Sequence, residues 1–204
     1  MSLDASKFSS TNNHNLRAFP YQYRPINKIS PWEQEVLDLI NQTGAAAYSQ
    51  LIPTDISISR QNKLTKKLDS LNKVGLLRKY QLSEINICAS KSYDNPIDLL
   101  KSLVFTQFIQ KAKLIDPSLE IYSPTLVKFC NNVFSVIIIR QSDDPIFLYS
   151  IQEKTIILSE KFLSEFTRIK APVRIILDKD LFCENPHIPF YLSDGSTELI
   201  KRVG

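Results

Sequence analysis

The chain is short of glycine and almost without histidine, and each shortage removes a class of chemistry. Its four glycines stand singly at positions 44, 75, 195 and 204. No glycine-rich loop can therefore wrap a nucleotide phosphate, and no Gly-x-Ser-x-Gly nucleophile elbow exists. The two histidines, His14 in a polar N-terminal stretch and His187 beside prolines, are a poor supply for histidine acid–base catalysis or a histidine-rich metal site. Three cysteines, Cys88, Cys130 and Cys183, are dispersed without Cys-x-x-Cys spacing. Such a set is neither a disulfide framework nor a zinc site, and small buried apolar side chains are the simplest reading. Long apolar runs are missing too. The longest such stretch, Val133–Ile139, falls far short of the roughly 20 residues that span a bilayer and reads as a buried strand. The opening MSLDASKFSSTNNHN has no apolar core of signal-peptide type. The expectation is a soluble, cytoplasmic chain with no cofactor and no membrane partner.

What is present suits a globular protein. Of 204 residues, 43% are hydrophobic and 23% charged, a mix that builds a packed core. The net charge of +4 matters through its location: residues 1–93 carry 12 basic and 7 acidic side chains (+5), residues 94–204 carry 13 and 14 (−1). Most of the surplus lies in residues 57–80, SISRQNKLTKKLDSLNKVGLLRKY, with seven lysines and arginines against one aspartate. An electropositive first domain joined to an electrically balanced second one follows.

Residues 1–29 are polar, with scattered Phe8, Phe19, Tyr21 and Tyr23. They read as an arm, disordered at its start and extended from Phe19 to Ile29. Order is predicted to begin at Ser30-Pro31-Trp32-Glu33, where an N-cap serine, a proline at the first helical position and a capping-box glutamate coincide. The helix runs to Gly44, a second short helix spans Ala45–Leu51, and Ser57 or Ser59 caps a third. The third buries Leu64, Leu68 and Leu71 and ends at Gly75. Leu76–Leu82 and Glu84–Ser90 read as two strands around a turn. Helix, helix, helix, strand, strand over residues 31–92, with the cadence Leu68-x-x-Leu71-x-x-x-Gly75-Leu76-Leu77, resembles a winged-helix domain.

That resemblance gives the third helix a task, because the corresponding helix enters the major groove and meets bases with its N-terminal part. Ser59, Arg60, Gln61 and Asn62 are residue types able to read bases. Lys63, Lys66 and Lys67 suit phosphate, and Arg78 and Lys79 on the wing could add backbone contacts. Five or six engaged phosphates imply a log–log salt slope of roughly −4 to −5. The competing reading is a protein-interaction winged helix whose lysines stay solvated.

The second half is predicted to start near Ser92–Pro96, with a helix from Pro96 to Ile109. Strands are expected at Glu120–Phe129, Val133–Arg140 and Ile146–Ile151. A helix at Ser159–Arg168, a buried strand at Pro172–Leu177 and a short strand at Phe190–Leu192 complete it. This order resembles the core of PD-(D/E)xK nuclease-like folds, in which carboxylates and a lysine hold a metal and activate water. Here Gln152 replaces the acid of the acid-x-Lys pair ending at Lys154, and Asp143 and Asp144 fall in a turn. Asp178 and Asp180 lie far along the chain. A working metal-dependent nuclease is therefore the weakest of three readings. Taken with KLDSLNKVGLLRKY, FLYSIQEK and FLSEFTRIKAPVRIIL, the whole outline is similar to replication-relaxation proteins of bacterial mobile elements, which implies handling of plasmid or transposon DNA.

The fold class expected is α+β. It comprises a winged helix over residues 30–92 (three helices plus a two-stranded wing) and a small α/β domain with a mixed sheet over residues 96–204. The expected partners are duplex DNA for the first domain and a second copy or another protein for the second.

Overall fold

The computed structural model describes residues 5–12, 14–20, 28–185 and 187–199. It is a mixed α+β protein whose contacts divide it into two compact units, one of residues 13–106 and one of residues 2–12 with 107–204.

In the first unit, β1 (Leu16–Ala18) precedes α1 (Pro31–Thr43), β2 (Ala45–Ala47), α2 (Tyr48–Leu51), α3 (Ile58–Lys73), β3 (Arg78–Leu82) and β4 (Ile85–Ala89). Helix α1 starts where its local signals place it. Ser30 is extended, Pro31 opens the helix, and the Glu33 carboxylate accepts the Ser30 amide at 2.8 Å, filling an otherwise orphaned donor. At the far end Gly44, with φ +93°, donates its N–H to the Ile40 carbonyl at 2.7 Å.

The next three residues depart from expectation. Ala45–Ala47 form a strand, paired antiparallel with β4 (Ala45↔Ala89, Ala47↔Ile87), and only Tyr48–Leu51 is helical. Alanine favours helix locally, yet all three residues are fully buried, and pairing with a distant strand outweighs a weak local preference. Helix α3 buries Leu68 and Leu71 against Val36, Leu37, Ile40, Leu51 and Leu77. Gly75 (φ +80°) follows its end, and β3 and β4 form a hairpin through Ser83. The four-stranded sheet has the order β1-β3-β4-β2. Strand β1 adds to β3 with Leu16 opposite Leu82. Three residues are too few to show a period, so nothing in the arm's sequence marks this strand. The extended stretch expected from Phe19 to Ile29 falls mainly on residues 21–27, outside the described residues.

Helix α4 (Pro96–Ile115) runs past the expected end at Ile109. Its first half supplies Leu99, Leu100 and Leu103 to the first unit, and its second half supplies Phe108, Ile109 and Ala112 to the second, all fully buried.

The second unit is built on a seven-stranded sheet of order β11-β10-β9-β8-β7-β6-β5. Its strands are β5 (Glu120–Ser123), β6 (Leu126–Phe129), β7 (Asn132–Ile139), β8 (Thr155–Ser159), β9 (Val173–Leu177), β10 (Pro189–Tyr191) and β11 (Thr197–Leu199), with a one-turn α5 (Asp178–Leu181) after β9. Strands β7, β8 and β9 are parallel to one another; the outer pairs are antiparallel. Three expectations change here. Glu120–Phe129 is two strands around a turn, and Pro145–Ser150 is a 3-10 helix instead of a strand. Thr155–Ser159 is the strand instead, and only Ser164–Arg168 of the expected helix is helical, again 3-10. The second and third share a cause. A parallel β7–β8 pair needs a crossover connection, and Asp144 starts the crossover's turn by accepting the Ile146 amide at 3.0 Å. The N-terminal segment belongs to this unit as well, with fully buried Phe8 stacked on Phe182 at 4.4 Å between ring centroids. No described helix is long and apolar enough to cross a membrane.

Candidate nucleic-acid interface

Helix α3 sorts its side chains by angle. At about 100° per residue, Ser59, Asn62, Lys63 and Lys66 occupy one arc of about 100° turned away from Leu64, Leu68 and Leu71, and Arg60 flanks that stripe. All five are exposed. Among the described residues, no acid lies within ion-pair distance of Arg60, Lys63 or Lys66.

The other predicted contact residues have work inside the fold. The Gln61 amide donates to the Ile56 carbonyl at 3.1 Å and to that of Thr54 at 3.3 Å, fixing the turn that leads into the helix. Lys67 donates to the Ser30 hydroxyl at 2.9 Å and sits 5.9 Å from the centroid of the Trp32 ring. It thereby joins α3 to the cap of α1. Lys79 is ion-paired with Asp69 at 2.7 Å and lies 5.3 and 5.4 Å from the Phe19 and Tyr48 ring centroids. Its backbone amide donates to Asn72 Oδ1 at 2.8 Å, tying the hairpin to the helix. Arg78, the neighbour on the same strand, is exposed.

Electrostatics follows this division. Burial alone would raise the Glu33 carboxyl, but the Ser30 hydroxyl and amide, with Lys67 nearby, outweigh it and hold the group below its ordinary range. Burial pushes the Cys88 thiol up to about 12 and raises Tyr48 as well, so neither supplies a nucleophile at neutral pH. Cys88 is buried as expected, whereas Cys130 and Cys183 are partly exposed.

The positions suggested by the nuclease-like outline do not converge. Asp144 lies beyond the C-terminal end of β7, while Lys154 precedes the first residue of β8, and the two strands run parallel with Ser135 opposite Thr155 and Ile139 opposite Ser159. About four residue steps of 3.3 Å, roughly 13 Å, separate the two ends. Lys154 donates to Asn132 Oδ1 at 2.9 Å. Among the described residues, no three His, Cys, Asp or Glu side chains gather as a metal site.

No family model matches the chain, and neither does any curated protein or solved structure.

One residue that sequence reasoning passed over belongs to the same surface. Ile58, the first residue of α3, is 75% exposed, and Leu76 before the hairpin is 43% exposed. The signal for Ile58 was legible, since it lies well off the Leu64–Leu68–Leu71 stripe.

Proposed function

We propose that this chain is a non-enzymatic DNA-binding protein that lays α3 against duplex DNA. One observation carries the reading. The exposed surface of α3 holds Lys63 and Lys66, with Arg60 at its edge, while the helix's own acid, Asp69, is occupied by Lys79 and Tyr48. A positive face that nothing on its own helix cancels attracts phosphate over a Debye length. Ser59 and Asn62 stand beside it to meet base edges, and exposed Ile58 is suited to a thymine methyl. The element order α1, short strand, α2, α3, hairpin supports a winged-helix assignment, with Arg78 on the wing. On this reading the second unit dimerises or docks a partner, and the protein serves transcription or replication control of a mobile element.

Exposed Ile58 and Leu76 favour a second reading, a protein-interaction scaffold in which the lysines remain solvated. The test is retention of a random-sequence duplex across a salt series. The expected result is binding that weakens steeply with salt and is abolished by Lys63→Glu with Lys66→Glu. A flat salt response, or retention unchanged by the double reversal, hands the surface to the scaffold reading. The metal-dependent nuclease reading is the least supported, because Asp144 and Lys154 stand at opposite ends of paired strands. Nicking of supercoiled DNA with Mg²⁺, lost on changing either residue, would revive it.

A further inference from the structure

The second unit has a basic groove of its own, at the end of the sheet where the parallel strands begin. A cavity of about 720 Å³ is lined by Tyr149, Ile151, Gln152, Arg168, Lys170, Ala171 and Pro172. A second, of about 380 Å³, shares Ala171 and Pro172 with it and adds Lys154 and Arg174. Four cations therefore line the pair. The acids there are Glu198, ion-paired with Arg174 at 3.1 Å, and nearby Glu153, which accepts the Ser135 hydroxyl at 3.2 Å. Sequence totals hide this surface, because residues 94–204 sum to −1 and only the fold gathers these cations at one end.

One exposed aromatic ring lines the first cavity beside the cations: Tyr149, 45% exposed. Phe147 and Ile146 on the same 3-10 turn are also exposed. The Arg168 guanidinium lies 3.5 Å from the Tyr149 hydroxyl, so ring and cation face the same space. The apolar side chains remain uncovered because two short 3-10 turns, in place of full helices, roof this face of the sheet.

We propose that this groove binds single-stranded nucleic acid, with a base stacked on Tyr149 and backbone phosphates on Arg168, Lys170 and Lys154. An aromatic platform beside a row of cations is the arrangement that tracks an unpaired strand. Duplex DNA fits poorly, since its bases are already stacked and a concave site admits little of its convex backbone. An acidic peptide would satisfy the cations but leave the ring without a partner. The inference concerns a different surface from α3 and stands without it.

The test uses the full chain carrying Lys63→Glu and Lys66→Glu, so that α3 contributes nothing, and a fluorescent oligo(dT) of about 12 nucleotides followed by anisotropy. The expected result is that this protein still binds oligo(dT). Adding Arg168→Glu with Lys170→Glu should weaken binding more than about tenfold, Tyr149→Ala about tenfold, and Tyr149→Phe hardly at all. Circular dichroism on each variant checks that the fold is kept. Absence of oligo(dT) binding in the starting protein overturns the proposal, as does indifference to either change in the groove. Poly-glutamate displacing oligo(dT) at equal charge would reassign the groove to an acidic protein, and thymidine monophosphate matching the oligonucleotide per phosphate would reassign it to a free nucleotide. Loss of duplex binding through α3 would leave all of these outcomes standing.

Discussion

The Lys79 ammonium lies 2.7 Å from Asp69 Oδ1, so the one acid in the basic stretch 57–80 neutralises one of that stretch's own cations. The same oxygen accepts the Tyr48 hydroxyl at 2.9 Å. Asp69 therefore acts as a joint between α2, α3 and the hairpin, and its charge is spent inside the first unit.

Asp69→Asn separates the two roles of that joint. The partly buried pair contributes about 1 kcal/mol, and its loss should appear as a lower urea midpoint. Freed from its partner, Lys79 can meet a phosphate, so the log–log salt slope for duplex binding should steepen by about one. Stability and DNA affinity are expected to move in opposite directions. If both fall, Asp69 supports the interface in some other way.

The salt slope itself is revised by the fold. Lys67 and Lys79 are engaged internally, which leaves Arg60, Lys63 and Lys66 on the exposed surface of α3 and a slope of about −3 at roughly 0.9 per phosphate. Lys67→Met should leave duplex affinity within about twofold while lowering stability by about 0.5–1.5 kcal/mol through the lost bond to Ser30. A slope near −4, reduced to about −3 by Lys67→Met, would return Lys67 to the interface.

Gly44→Ala tests the turn between α1 and β2. The position has φ +93°, and a Cβ there would meet the Tyr93 hydroxyl at 2.5 Å. Backbone strain and the clash together should cost roughly 1–3 kcal/mol, read by thermal melting. Tyr93→Phe in the same chain relieves the contact alone, so the double variant should recover part of the loss and never all of it.

Acid should loosen the second unit through Asp116. This buried carboxylate accepts the Cys130 amide at 2.6 Å and the Ser118 amide at 3.0 Å, pinning the left-handed turn at Cys130 and Asn131. Burial alone would raise it, but those bonds and the Ser118 hydroxyl outweigh burial and hold it below its ordinary range. A carboxyl depressed in the folded state contributes stability above its unfolded value of about 3.9, and that contribution is lost as pH falls through the folded value. Asp116→Asn should thus cost about 1–3 kcal/mol at neutral pH and progressively less toward pH 3. A constant difference across that range would mean that the charge is irrelevant and only shape matters.

How far the sequence could be read depends on the range of the interactions involved. The start of α1 was legible because Ser30, Pro31 and Glu33 lie within four positions of one another and settle the helix start among themselves. The stripe of α3 was legible because its period is written in consecutive turns. Strand β2 was not, since three alanines become a strand only when β4, some forty positions later, arrives beside them. The crossover at Pro145–Ser150 reads as a strand in sequence for the same reason: aromatic and β-branched residues suit a pleated surface anywhere, and only the parallel partner β8 decides that they must leave the sheet. Within the candidate interface, the residue types were available from the start, but which lysines remain outward depended on where Ser30, Asp69 and Trp32 came to lie.

The amino-acid order by itself determined the helix caps, the apolar stripe of α3 and the concentration of positive charge in residues 57–80, because each arises between neighbours a few positions apart. The tertiary structure alone decided that Lys79 is cancelled by Asp69 and that Lys154, Arg168, Lys170 and Arg174 gather at one end of a sheet. Coulomb energy depends on distance in space, and folding sets those distances among residues the chain keeps far apart.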